Sequence, residues 1–378
     1  MNKPKLNSMQ MMTLISAGTL GVDILTVPRR MVESSGQDAW ISILLGGLLT
    51  LIFGTLAYIL AVQYPDKDFP EILISIGGKF FGRLMLLIVA IYVLLYLGLS
   101  IKIFVQALLV FLLDKTPVFI LMLLMNLVAG YAVVKGLETI GRVVDILFPL
   151  TIFTIFFVML LALPQADPIR LKPILYNNDK NVLKSIIPAA QRFTGVGLIL
   201  YYFKHTNKSK SSFLWFLAGI CIPVFSYTAL TLITIMVFGI KETAILTYPP
   251  LTLIKAIRFP ISFLERLESF AAVFWIGIVF NAAVLFYYSS LRNITVFFSI
   301  LEKYEIYAIW AHLPLLMMIG QAESNVWEVL DGTPIIRTVQ FLIVLGMIPL
   351  LAGYTFLKNR RRRPGESKKI RDLPFYYT

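Results

Sequence analysis

Three ionisable side chains sit where long apolar runs should exclude them. Asp23 lies in "LISAGTLGVDILTVPRR" (14–30), Lys102 between "LGLSI" and "IFVQALL", and Arg192 in "SIIPAAQRFTGVGLILYYF" (185–203). A charge at membrane depth is expensive, by roughly 2.5–3.5 kcal/mol on insertion scales, and faces a bundle interior or a polar cavity. Asp23 could meet a ligand amine, carry a proton, or pair with Lys102 or Arg192. Lys102 could replace a coupling cation, stabilise the fold through one ion pair, or reach the outer surface along its stem. Arg192 could pair with an acid or hold a carboxylate. Glu268, in the stretch Arg266–Glu268, lies nearer a span's outer end and reads as part of a loop-anchoring pair.

Asp23 and Arg192 share a setting. Gly18 and Gly21 precede the aspartate; Pro188, Gln191, Phe193, Thr194, Gly195 and Gly197 surround the arginine. Lipid offers no hydrogen bonds, so unwound backbone at membrane depth survives only inside protein or against a polar cavity. Glycine lowers the barrier to unwinding. The half-helix ends then present free N–H and C=O groups to a carboxylate, an amine or an ion. The alternative is that these glycines only let another helix approach closely.

The elements that must position these groups follow from composition. The 378 residues are 58% hydrophobic and 15% charged, with a mean hydropathy of +0.80. Such a chain reads as an all-α polytopic membrane protein. A span takes about 20 apolar residues, which gives ten: 10–30, 39–63, 82–113, 117–134, 142–163, 185–203, 211–239, 262–291, 304–321 and 335–357. They read as one integral domain, with repeat one at 10–163, repeat two at 185–357 and a basic cytoplasmic tail at 358–378. The interrupted spans are the first and the sixth, which correspond if the ten divide as five plus five. Five is odd, so the second half enters from the opposite face, as in an inverted repeat. Paired interruptions of this kind point to a binding site near the midplane.

An even count puts both termini on one side. The segments of that side carry 20 lysines and arginines against 12 opposite, so both termini are expected in the cytoplasm. The net charge of +13 lies in short loops and the tail, which suits an anionic membrane surface and not nucleic acid. The outer loop before 262 carries three prolines and apolar residues and reads either as a lid-like or interfacial element or as a loop that merely packs. One cysteine, Cys221, excludes an internal disulfide. His205 and His312 stand apart, with no metal-ligand spacing. No nucleophile–base set or phosphate-cradling loop appears, so neither an enzyme nor a cofactor is expected.

Four motifs, in order, carry a resemblance: "GTLGVDILTVPR" in the first span, "GQDAWIS" opening the second, "KGLETIGRVVDILFP" leading into the fifth and "FLERLESFAAVFWI" opening the eighth. The chain resembles the permease-like B subunits of bacterial endospore germinant receptors, within the amino acid–polyamine–organocation superfamily. The resemblance implies a ten-helix inverted-repeat transporter core in the inner spore membrane. It implies a complex with a larger A subunit and a lipoprotein C subunit, and a small nutrient ligand, commonly an amino acid. A proton-coupled amino-acid permease is the alternative. The implied pocket is lined by Gly18, Thr19, Gly21 and Val22, by Phe193, Thr194, Gly195 and Gly197, and from the third and eighth spans by Tyr96, Gly98 and Asn281, with Trp275 more a packing residue. A sodium-coupled relative would place small hydroxyl residues near the centre of span eight. Asn281 stands there instead, and Ser289 and Ser290 lie near the inner end, which favours proton coupling or no coupling.

Overall fold

The first apolar segment starts on a capping box. Asn7 accepts from the Gln10 backbone while the Gln10 side chain accepts from the Asn7 backbone, which satisfies two orphan donors at once. The computed structural model describes residues 6–176, 178–256, 267–321, 336 and 338–361, and these are almost entirely helical. Helix α1 (Ser8–Thr19) ends where the glycines begin, a 3₁₀ turn follows at Val22–Leu25, and α2 (Val27–Ser35) restarts with Pro28 in its first turn. Proline there forfeits no bond, because the first N–H groups of a helix have no partner.

Helices α3 (Ala39–Gln63), α4 (Phe69–Gly77), α5 (Arg83–Phe111), α6 (Val118–Val134) and α7 (Leu137–Ala162) follow. Next come α8 (Asp179–Ala190), a 3₁₀ turn at Thr194–Leu198 and α9 (Ile199–Tyr202). The chain continues with α10 (Ser212–Ile245), α11 (Pro249–Ala256), α12 (Leu267–Phe297), α13 (Glu305–Gln321) and α14 (Ile348–Arg361). Among the described residues, five stretches are long and apolar enough to cross a membrane: Val27–Gln63, Phe69–Phe111, Leu137–Gln165, Ser212–Ile245 and Thr338–Lys358. Helix α6 is apolar but shorter.

Helix α1 stands at the centre, packed on α7, α10, α12 and the Thr194–Leu198 turn. The starts of α1 and α10 are level. Leu6 bridges Thr206, and the Ser8 hydroxyl lies 3.1 Å from that of Ser212. Helix α10 breaks at Gly239, whose φ of +75° favours glycine, and this is where the seventh span was expected to end. The segment beyond it forms α11, which buries Pro249, Pro250, Leu251, Leu253 and Ile254 against α7, α10 and α12.

Several boundaries differ from the sequence reading: α7 starts at Leu137, ahead of 142, and α12 runs to Phe297, past 291. Helix α8 starts at Asp179, six residues before Ser185, because its first turns are amphipathic and carry Lys180 and Lys184 outward. Helix α4, placed in a loop by apolar run length, is a helix with its own Asp68–Glu71 capping box. Arg266, the side chain of Glu268 and the tail beyond Arg361 lie outside the described residues.

Candidate solute-binding site

The two interruptions meet backbone to backbone. A Cβ on Gly195 would lie 2.3 Å from the Thr19 nitrogen and 2.5 Å from the Gly18 carbonyl carbon. Only a hydrogen fits there, so Gly195 serves close approach as well as irregular backbone. A Cβ on Gly18 would strike Leu198, and one on Gly21 would lie 2.8 Å from the Ala282 Cβ of α12. The carbonyl freed at the end of α1 is taken up: Tyr227 of α10 donates its hydroxyl to the Thr19 oxygen at 2.5 Å. That bond removes the penalty of an unpaired buried carbonyl.

Immediately past the crossing, the 3₁₀ turn aims Asp23 at the second interruption. Arg192 Nη1 donates to Asp23 Oδ1 at 3.3 Å, and Tyr96 of α5 donates to Asp23 Oδ2 at 3.2 Å. The Thr194 hydroxyl lies 3.3 Å from the Tyr96 oxygen and 3.5 Å from Asp23 Oδ2. Tyr96 is held by the Phe286 ring, centroid to centroid 4.7 Å. Arg192 is 8% exposed, so the pair is largely desolvated and its charges act strongly on whatever enters.

A cavity of about 50 Å³ opens on this cluster, lined by Val22, Asp23, Thr26, Arg30, Tyr96, Ser100, Gln191, Arg192 and Gln340 among others. At roughly 10–15 Å³ per water on this measure, it holds a few waters or a small polar solute. Gln340 closes one side by donating to the Gln191 carbonyl at 2.7 Å.

Of the residues singled out from sequence, Val22 and Tyr96 from the implied pocket and Asp23 and Arg192 from the charged set line this cavity, and Thr194 joins the cluster through Tyr96 and Asp23. Gly18, Thr19, Gly21 and Gly195 build the crossing behind it, and the Thr19 hydroxyl bonds back to Ile15. Phe193 packs on Tyr227, ring centroids 5.5 Å apart, and with Gly197 borders a separate smaller hollow. Gly98 does not face the cavity: a Cβ there would meet Ile319 of α13 at 2.7 Å. Lys102 and Asn281 are buried away from the cavity lining, and Asn281 has no hydrogen-bond partner for its amide among the described residues. Trp275 is packed at 2% exposure.

Ser100, Thr26 and Gln340 were not singled out from sequence; uncharged polar residues inside apolar runs give little signal. A second ionic cluster was also missed. Arg292 donates to Asp68 Oδ2 through Nε at 2.9 Å and Nη2 at 2.7 Å, while Lys204 donates to both Glu71 oxygens at 2.9 and 2.8 Å. It ties α4 to α12 and to the segment after α9. The Asp68–Glu71 spacing was its legible trace.

Residues 5–326 match the family described as "Spore germination protein". The chain belongs to this family. It is 24% identical to Spore germination protein YndE of Bacillus subtilis (strain 168) over 92% of this chain and 95% of that one. It is 28% identical to Spore germination protein B2 of the same organism over 72% of this chain and 74% of that one. Among solved structures it is similar to Mhp1, a nucleobase-cation-symport-1 family transporter in a closed conformation with bromovinylhydantoin bound (TM-score 0.72, 14% identity, 96% of this chain and 80% of that one). It is also similar to MhsT in complex with L-phenylalanine (TM-score 0.62, 15% identity, 93% and 88%). The chain is therefore a spore-germination membrane protein with a transporter fold.

Proposed function

We propose that the chain is the nutrient-sensing subunit of a spore germination receptor, and that it binds an amino acid at the Asp23–Arg192 cluster. One observation carries the reading. A carboxylate and a guanidinium, one from each interrupted segment, face a common cavity, with the Tyr96 and Thr194 hydroxyls against the carboxylate. A zwitterion carries the complementary charges in reverse order. It can insert its ammonium toward Asp23 and its carboxylate toward Arg192, replacing the direct pair with two charge-assisted contacts. Because the two charges sit on different segments, solute binding changes the force between them and favours one arrangement of the halves over another. In this reading the ten spans divide five and five, the first and sixth are broken at the midplane, and both termini face the cytoplasm. A larger A subunit and a lipoprotein C subunit in the inner spore membrane receive the shift.

The similarity to transporters of this fold supports a second reading, a proton-coupled permease. Two measurements on the same variant separate them. Ser100→Leu fills the cavity without touching a charge. The sensor reading requires that it abolish amino-acid-triggered germination while wild-type protein in proteoliposomes carries no labelled amino acid down a pH gradient. Wild-type uptake that Ser100→Leu abolishes identifies the permease instead.

A further inference from the structure

A second, larger hollow opens on the flank of the molecule between α1, α7 and α10. Its volume is about 900 Å³, and its walls include Met12, Phe148, Ile152 and Ile222. Phe153 and Phe225 stand at its rim, 57% and 59% exposed. Phe156 of α7 stacks on Phe225 of α10, centroids 5.9 Å apart, at the deep end beside Ser226. At the shallow end lie Asn7 and Asp145. The Asp145 carboxylate accepts from Gln10 Nε2 at 2.7 Å and from the Thr13 hydroxyl at 2.9 Å. Both donors are neutral, and among the described residues no lysine or arginine forms an ion pair with Asp145. Among the described residues, a partly buried carboxylate therefore faces an apolar groove with no ion-pair partner.

Length and charge together select the occupant. The Ser8–Ser212 contact sets the shallow level, and Ser226 lies fourteen residues along α10, about 21 Å at 1.5 Å per residue. That length matches one leaflet, whose hydrocarbon is about 15 Å deep, plus the interfacial zone. A partner helix would need an apolar face as long as the whole core, roughly 30 Å, and this groove is shorter. An acyl chain fits that length, and the negative shallow end calls for a primary ammonium above it. We propose that the groove binds one aminophospholipid, a phosphatidylethanolamine, with an acyl chain between α7 and α10 and its ammonium donating to Asp145. Since Asp145 also holds Gln10 and Thr13, the lipid bears on the inner half of α1, directly below the interruption.

The test is lipid retention by the purified chain, read by native mass spectrometry after reconstitution in equal phosphatidylethanolamine and phosphatidylcholine, whose trimethylammonium cannot donate a hydrogen bond. Wild type should retain phosphatidylethanolamine at least fivefold over phosphatidylcholine. Asp145→Asn should bring the ratio to parity. Ile222→Trp, which fills the groove and leaves the charge, should reduce retention of both and decides the matter if Asp145→Asn fails to fold. Equal retention by wild type overturns the proposal, as does a preference that survives Asp145→Asn or a retention that Ile222→Trp leaves intact.

Discussion

Neutralising Asp23 separates the structural and binding roles of the ion pair. At 3.3 Å the attraction between Asp23 and Arg192 is about 5 kcal/mol at an effective dielectric of about 20. Desolvation of both ions opposes most of it, so the pair adds little net stability. Asp23→Asn removes the attraction and leaves a buried guanidinium uncompensated, which costs about 3–5 kcal/mol. The double variant Asp23→Asn/Arg192→Gln has no orphan charge and should return to within about 1–2 kcal/mol of wild type. Binding should behave differently. Both charges are needed by a zwitterion, so the double variant stays at least about 100-fold weaker for amino acid, some 2.7 kcal/mol. The assays are reversible unfolding of the purified protein and equilibrium binding of labelled amino acid. A double variant as unstable as the single refutes the ion-pair argument. A double variant that binds normally refutes the placement of the solute.

Other perturbations probe neighbouring contacts. Gly195→Ala drives a Cβ into the Thr19 and Gly18 backbone and should destabilise by at least about 1–3 kcal/mol, whereas Gly197→Ala, with nothing within 4 Å, should stay within about 0.5 kcal/mol in the same melting assay. Tyr96→Phe removes a hydroxyl bonded to Asp23 and should weaken amino-acid binding about tenfold without lowering the melting temperature by more than a few degrees, because the ring stays against Phe286. Arg292→Ala strands the Asp68 carboxylate, whose side chain is 1% exposed, and should cost about 3–5 kcal/mol, with partial recovery in Arg292→Lys.

Glycine, proline and charge inside an apolar run marked both segments in the sequence, which left open whether the glycines unwind the chain or only let another helix approach. The partner of Asp23 was not marked. Lys102 and Arg192 were equally open from sequence, and the choice depends on how the two interruptions cross, which rests on Gly195 meeting Gly18 and Thr19. The same crossing reassigns residues. The resemblance placed Gly98 and Gly21 at the pocket, yet in each case a neighbour, Ile319 or Ala282, lies where a Cβ would stand. The start of α8 was hidden because Asp179 to Lys184 is polar by composition, and only one face of that turn is buried, at Val182. Helix α4 was too short to register as a span, and its signal was the cap, not the hydropathy. Ser100 and Gln340 carry no charge, so nothing marked them until their helices were placed around Asp23.

The most direct measurement is titration of a panel of amino acids and sugars against the purified chain, with Ser100→Leu as the filled-cavity control. Saturable binding of one or more zwitterionic amino acids by wild type, lost in a folded Ser100→Leu protein, is the expected result. Binding that is absent from wild type across the panel, or that persists undiminished when the cavity is filled, contradicts a solute site between the two interrupted segments.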